Sequence, residues 1–268
     1  MAECDPIGTP LEVGRQLVRA DGSDDALPYR EAVGSLMYLM VGTRPDLTFS
    51  IGQLSRLVYC YGKENWAAIK RILRYVKGSM DKGLVFDKNS SCILQGFSDS
   101  DWAGDRETRR STMGFTFIFV GAAVSWGSKL QKTVALSIME AEYVALCEAR
   151  KEALWLNKRV QGLASHGLRM AISVGPINIK VDNSGCIDFS KNPVEHKRTK
   201  HINIRYNFVR EAITTDKVAL EHFATDDMVA DPITKALGKN KHDKHVKAMG
   251  LCIKHEPRRQ LARRSVRL

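Results

Sequence analysis

Four carboxylates in this sequence stand where acidic side chains are seldom placed without a purpose. Asp99 follows Phe97 and Ser98 at the end of an apolar stretch. Glu142 lies between Ala141 and Tyr143, Asp182 directly follows Ile179-Lys180-Val181, and Asp231 follows Val229-Ala230. An uncompensated carboxylate beside core segments is costly, so such groups call for a cationic partner. Several of them gathered at strand ends suit Mg²⁺, which prefers hard oxygen ligands and keeps several waters. Two such ions about 3.5–4 Å apart activate a water and stabilise the leaving oxygen of a phosphodiester. Taken singly, each residue also has a plainer role. Asp99 reads as a cap, Asp182-Asn183 as a strand-ending turn, Glu142 as a solvated helix residue, and Asp231 as a first-turn charge favoured by the helix dipole.

The elements that must position these groups follow from hydrophobic periodicity. Residues 28–82 read as helical. Pro28 opens a helix whose apolar face is Val33, Leu36, Met37 and Met40, and Thr43-Arg44-Pro45-Asp46 breaks it. A second helix is predicted over about Leu47–Leu57. A third carries Trp66, Ile69, Ile72, Leu73 and Val76 on one face and ends at Gly78. The pattern then turns to strands at Gly83–Asp87, Cys92–Ser98, Gly114–Val120 and Ala122–Trp126. A helix with no Gly or Pro is predicted between Met139 and Val160, then a strand at Ile177–Val181 and a helix at Ser184–Ser190. Ile202, Tyr206, Val209 and Ile213 fall at helical spacing, followed by a strand at Val218–Phe223 and a helix at Asp227–Leu237. This order predicts an α/β fold with a mixed sheet covered by helices. The divisions expected are a mobile lead-in over 1–27, a small helical segment over 28–82, an α/β domain over 83–237 and a basic tail over 238–268.

Composition narrows the classes. The chain has 268 residues, 44% hydrophobic and 26% charged, as in an ordinary globular protein. No apolar run reaches the roughly 18 residues of a membrane span, and the acidic start Met1-Ala2-Glu3-Cys4-Asp5-Pro6 is no signal peptide. No membrane partner is expected, and the location read from this is intracellular. The six cysteines are scattered without a C-x-x-C pair and read as reduced thiols. The net charge of +11 suggests a polyanionic partner, but residues 238–268 hold ten Lys/Arg against two Asp/Glu, so most of the excess belongs to the expected tail.

Residues around the carboxylates carry a resemblance. Gly96-Phe97-Ser98-Asp99-Ser100-Asp101-Trp102-Ala103-Gly104-Asp105 resembles the opening of the ribonuclease H domain of copia-type (pseudoviral) retrotransposon Pol polyproteins. Arg109-Arg110-Ser111-Thr112, Ala123-Val124-Ser125-Trp126, Glu140-Ala141-Glu142-Tyr143-Val144-Ala145-Leu146, Val181-Asp182-Asn183, Arg198-Thr199-Lys200-His201-Ile202 and Ala230-Asp231-Pro232-Ile233-Thr234-Lys235 match in order. Tyr29-Arg30, Val33-Gly34-Ser35-Leu36, Thr43-Arg44-Pro45-Asp46 and Leu73-Arg74-Tyr75-Val76-Lys77-Gly78 resemble the thumb or connection end of the preceding reverse transcriptase. The resemblance implies a ribonuclease H-like five-stranded mixed sheet with flanking helices, preceded by a small helical segment. It implies an acidic tetrad carried over as Asp99, Glu142, Asp182 and Asp231, which is both catalytic and metal-binding. Asp101 competes with Asp99, whose Ser-Asp-Ser setting fits better. Glu140 competes with Glu142, which the Ala-Glu-Tyr-Val-Ala-Leu match favours.

The activity so implied is hydrolysis of the RNA strand of an RNA–DNA hybrid, with two Mg²⁺ ions for which Mn²⁺ substitutes. Candidate nucleic-acid contacts are Lys129, Lys132, Arg198, Lys200, His201 and Arg205, and Trp102 reads as core. Departures from the family pattern are Ile138 and Met139 before Glu140, Leu130 where Lys is common, Glu195 and Asn207 near the Thr-Lys-His motif, and no His in Ala224–Asp227. Nothing matches the Tyr-x-Asp-Asp hairpin of a polymerase, so no polymerase activity is expected, and the reverse transcriptase polymerase domain of the same element is a candidate partner. Two rival readings are a catalytically silent nucleic-acid-binding fragment and a secreted interaction protein, since Arg71-Ile72-Leu73-Arg74 matches the R-x-L-R signature of oomycete effectors. An integrase is disfavoured because its acidic order places Glu last.

Overall fold

A computed structural model describes residues 3–165, 175–191, 211 and 217–253. Three helices come first: α1 (Tyr29–Gly42), α2 (Thr48–Ser55) and α3 (Lys63–Lys77). A 3-10 turn at Pro45–Leu47 joins the first two, where Pro45 supplies the fixed φ and needs no amide partner. Their apolar faces close on one another around Tyr29, Leu36, Leu47, Ile51, Leu54, Ile69 and Ile72, all buried. This small core is drawn together by a polar network. Arg44 Nε and Nη2 donate to the two carboxylate oxygens of Asp46 at 2.9 and 2.7 Å, and both residues are buried. Nη2 also donates to Ser79 Oγ, and Tyr75 Oη donates to Asp46 at 2.7 Å. The Thr-Arg-Pro-Asp break is thus a buried ion pair as well as a helix stop.

The sheet follows. Strands β2 (Gln95–Asp101), β3 (Thr112–Phe119), β4 (Ala122–Leu130), β5 (Ile177–Val181) and β6 (Val218–His222) form five strands in the order β4-β3-β2-β5-β6. β2, β3 and β4 are antiparallel, while β5 runs parallel to both β2 and β6. The long helix α4 (Ile138–Ser165) covers one face, where Tyr143, Leu146, Ala149 and Ala153 pack on Phe117, Ile177, Ile179 and Val181. α5 (Ser184–Lys191) joins that layer through Cys186 and Ile187. The opposite face is sealed by Phe97, Ala123, Met228, Val229, Ala230, Ile233 and Met249, of which Ile233 belongs to α6 (Asp231–Thr234). The fold class is therefore the mixed-sheet α/β arrangement expected, preceded by the helical segment.

Several boundaries differ from the sequence expectation. β2 runs on through Asp101 because β3 keeps pairing with it to Asp101↔Thr112, so Asp99 lies within a strand and not at its end. The strand expected at Gly83–Asp87 is β1 (Lys82–Leu84), which pairs outside the main sheet with β7 (Leu251–Ile253). The helix expected over Asp227–Leu237 is a 3-10 turn at Thr225–Asp227 followed by the four-residue α6. Residues 238–268 do not form a tail throughout. α7 (Lys239–Ala248) buries His242, His245 and Val246, and β7 closes onto β1. The lead-in is likewise held where it was expected to be mobile: Leu11 is buried, Arg71 binds Glu12 and Thr9, Arg74 donates to the Asp5 carbonyl and Lys77 to that of Cys4. Trp102 is exposed and not core, its indole N–H donating to the Ala135 carbonyl at 3.1 Å. No disulfide joins any of the six cysteines, and among the described residues no helix is long and apolar enough to cross a membrane. The helical spacing at Ile202–Ile213 falls outside the described residues.

Two stability predictions follow from these contacts. Asp46→Ala leaves the Arg44 guanidinium buried without its carboxylate, and breaking such a pair costs about 3–5 kcal/mol; a loss below about 1 kcal/mol in denaturant unfolding would show that the pair is not desolvated. His245 is buried with neither ring nitrogen hydrogen-bonded among the described residues. Burial, with Lys244 adding to it, pushes its pKa down to about 4. A depressed histidine favours the fold above the unfolded value of about 6.5, and that contribution is lost as pH falls toward 4. His245→Leu is therefore expected to lose less melting temperature than the parent between pH 7 and 4.5, the difference being a few degrees at about 2–4 °C per kcal/mol.

Candidate metal centre

The site is built where two parallel strands part. The ladder between β2 and β5 ends at Phe97↔Lys180, although each chain continues. Asp99 lies two residues beyond that pairing on β2, and Asp182 two residues beyond it at the exit of β5. Ligands in open α/β sheets bind outside the carboxyl ends of such strands. Glu142 enters from α4, and one oxygen each of Asp99, Glu142 and Asp182 lie within 4.8 Å of one another. Asp99 and Glu142 are buried, and Asp182 is partly so.

Each carboxylate is held by its surroundings. Glu142 Oε1 accepts the Ser100 N–H at 3.1 Å, while Oε2 is buried with no hydrogen-bond partner among the described residues. Asp99 Oδ2 accepts a short hydrogen bond from Thr234 Oγ1 of α6. Gly114, opposite Asp99 on β3, makes that approach possible: a Cβ there would stand 2.7 Å from Thr234 Cγ2. Asn183 Oδ1 caps α5 through the Cys186 N–H at 2.9 Å, which fixes the backbone just after Asp182. His222 Nε2 lies 3.1 Å from the Asp182 carbonyl oxygen.

Asp231 stands apart from the three. It is buried at the start of α6, and its Oδ1 lies 2.9 Å from Lys235 Nζ, which is 3.7 Å from Asp99 Oδ2. The electrostatics record crowding. Burial, then the charges of Asp99 and Asp182, hold the Glu142 carboxyl well above the usual range. Asp182 is raised by burial and Asp99, against a hydrogen bond from Thr225. Asp231 is pushed up to about 6 by burial and Asp99, with Lys235 opposing. Burial pulls the Lys235 ammonium down, but Asp99 and Asp231 outweigh it and the net shift is upward.

The two alternatives open in the sequence are placed differently. Asp101 is not in the cluster; it packs over Gly104, and burial raises it, with Lys235 opposing and Asp99 adding to the rise. Glu140 serves its helix: Oε2 accepts the Leu136 N–H at 2.8 Å, while its own N–H donates to Ser137 Oγ at 3.2 Å. Of the expected nucleic-acid contacts, Lys129 and Lys132 are exposed on and just beyond the edge strand β4. Arg198, Lys200, His201 and Arg205 lie outside the described residues. Sequence reasoning missed Thr234 and Lys235 as members of the site. Their signal was present, since both sit in the motif that carries Asp231. It also missed a groove of about 630 Å³ beside Asp101 and Lys235, whose walls carry Arg15, Arg19, Arg106 and Arg109 together with Asp105 and Glu107.

The donor set suits a hard divalent cation: three carboxylates converge, and a buried oxygen of one of them lacks a partner among the described residues. The strand order, with carboxylates at the splayed ends of two parallel strands, defines a ribonuclease H-like α/β domain. Ribonuclease H1 from Halobacterium salinarum aligns with 53% of this chain and 94% of its own, at 14% identity and a TM-score of 0.36. No family model matches the chain. The retrovirus-related Pol polyprotein from transposon TNT 1-94 of Nicotiana tabacum is 41% identical over 251 residues, covering 91% of this chain and 18% of that one. The polyprotein from transposon RE2 of Arabidopsis thaliana is 35% identical, covering 89% and 16%. Secreted RxLR effector protein 161 of Plasmopara viticola is 50% identical over 135 residues, 50% of this chain and 95% of that one. The chain belongs to the retrovirus-related Pol polyproteins of copia-type transposons, and it spans less than a fifth of the length of the curated polyproteins it matches.

Crowded carboxylates oppose folding until a cation joins them. Glu142→Gln keeps the acceptor for Ser100 and removes one charge, so without divalent ions it is expected to raise stability by about 0.5–2 kcal/mol, as relief of a strained functional site commonly does. Thermal melts in chelator check this, and a variant that melts lower than the parent sinks the reading of repulsion.

Proposed function

We propose that this chain is a ribonuclease H domain with the adjoining connection segment of its reverse transcriptase, and that it hydrolyses the RNA strand of RNA–DNA hybrids. The observation that carries this reading is the convergence of Asp99, Glu142 and Asp182 within 4.8 Å at the parted ends of β2 and β5, with a buried Glu142 oxygen left unpartnered. Asp99, Glu142 and Asp182 would hold one Mg²⁺, and Asp231 with Asp99 a second, with Mn²⁺ as a substitute. Bound there, the cations would supply Lewis acidity, polarise an attacking water and offset charge on the leaving oxygen.

The remaining work falls to the chain itself. Ser100 N–H fixes the Glu142 carboxylate, and Thr234 fixes that of Asp99. Burial on both faces of the sheet keeps these oxygens aimed at one point, which is where pre-organised catalysis gains its advantage. The hybrid is gripped along its phosphates and read by its 2′-hydroxyls. Lys129, Lys132, Arg198, Lys200, His201 and Arg205 are the contacts proposed for this. Lys129 pairs with Met113, which pairs with Ser100, so it stands two strands, about 10 Å, from the carboxylate strand. The groove beside Lys235, of mixed charge with arginines and lysine in excess over Asp101, Asp105 and Glu107, extends the path for a strand passing the site. The polymerase domain of the same element is the protein partner proposed.

The test is cleavage of a labelled RNA–DNA hybrid with Mg²⁺, beside Asp182→Asn. Activity in the parent and a loss of at least about 10²-fold in the variant is expected, as for removal of one member of a concerted site. Equal cleavage by both proteins, or none by the parent, overturns the proposal.

A further inference from the structure

The four carboxylates are not equivalent. Three converge, whereas the fourth, Asp231, faces a cation supplied by its own chain. α6 stops at Thr234, and Lys235 turns to extended backbone, φ −148° and ψ 158°. That turn sends the ammonium between two carboxylates from different elements, 2.9 Å from Asp231 on α6 and 3.7 Å from Asp99 on β2. Asp99 is thereby shared, facing the triad through one neighbourhood and the lysine through the other. A divalent ion bridging Asp99 and Asp231 needs oxygen contacts of about 2.0–2.1 Å. It has no room beside an ammonium already in contact with the same carboxylates, and the two cations would repel.

We propose that Lys235 is a resident cation that holds the Asp99–Asp231 position, so that metal uptake is stepwise. The first divalent ion enters the triad of Asp99, Glu142 and Asp182 without disturbing the lysine. The second binds only by displacing the Lys235 ammonium. The side chain has somewhere to go, since Lys235 is about one-third exposed and lines a groove of mixed charge, where Arg15, Arg19, Arg106 and Arg109 outnumber Asp101, Asp105 and Glu107. There it is placed to meet a phosphate, which ties entry of the second ion to arrival of a polyanion. This inference rests on the reading of the carboxylates as metal ligands and adds to it the order of binding and the residue that sets it.

Calorimetric titration of the full chain with Mn²⁺, without nucleic acid, tests the order. The parent is expected to take up one equivalent, with a second at least about tenfold weaker. Lys235→Met is expected to bring the second equivalent to comparable affinity, and Lys235→Arg to keep the stepwise pattern. Melting curves run alongside give an independent readout. Without metal, Lys235→Met melts below the parent because Asp99 and Asp231 lose their counter-ion, and it gains more on adding Mn²⁺. Two equal equivalents in the parent, or a folded Lys235→Met that still binds stepwise, overturn the inference while leaving the metal site intact. Absence of any Mn²⁺ binding by the parent removes the metal site itself. Should Lys235→Met not fold, the stepwise or equal binding of the parent decides.

Discussion

The repulsion among carboxylates gathered at the parted ends of β2 and β5 is the constraint around which the rest of the molecule is arranged. Like charges this close are tolerated only where the backbone leaves them no retreat. Pairing of β2 with β3 through Asp101 prevents Asp99 from swinging away, and the Ser100 amide fixes Glu142. The helix that brings Asp231 also brings Thr234 against Asp99, and it fits because β3 offers a glycine at that register. The cost of this crowding is carried by two hydrophobic layers, one under α4 and one under α6. Functional sites commonly draw on stability in this way.

The helical segment is integral to that arrangement. The Arg44–Asp46 pair extends through Tyr75 on α3 to His242 on α7, so the turn after α1, helix α3 and helix α7 share one polar network. Trp126 on β4 donates to the Met40 carbonyl, and Arg56 pairs with Asp105 beyond β2 at 2.9 Å. β1 and β7 add a clasp that joins the segment before the sheet to the segment after it. The helical segment is thereby a buttress for the loop that follows the carboxylate strand.

Much of this was legible in the sequence because the elements are strongly patterned. The alternation at Gly114–Val120, the unbroken helix after Met139 and the compact Ile177–Val181 strand all fall within a few residues of the structure. Less legible were features decided by partners distant along the chain. Whether β2 ends at Ser98 or at Asp101 depends on β3, not on local residues. The basic stretch after Gly238 looked like a tail because lysines dominate it, yet His242, His245 and Val246 supply a buried face. Trp102 was assigned to the core on type alone, although a surface indole needs only one acceptor to be held. Within the site, the carboxylates announced themselves by sitting beside apolar runs. Lys235 did not, because a lysine four residues after an aspartate ordinarily signals a surface pair.

The Arg71-Ile72-Leu73-Arg74 tetrad shows how little four letters convey once a chain has folded. A short linear motif works as an address only if its side chains are free to be read by another protein. Here Ile72 is wholly buried, Arg71 is engaged by Glu12 and Thr9, and Arg74 by the Asp5 carbonyl. Both arginines stitch the beginning of the chain onto α3. Any reader of the motif would have to unpick that stitching first, so in this fold the same letters spell a seam and not a signal.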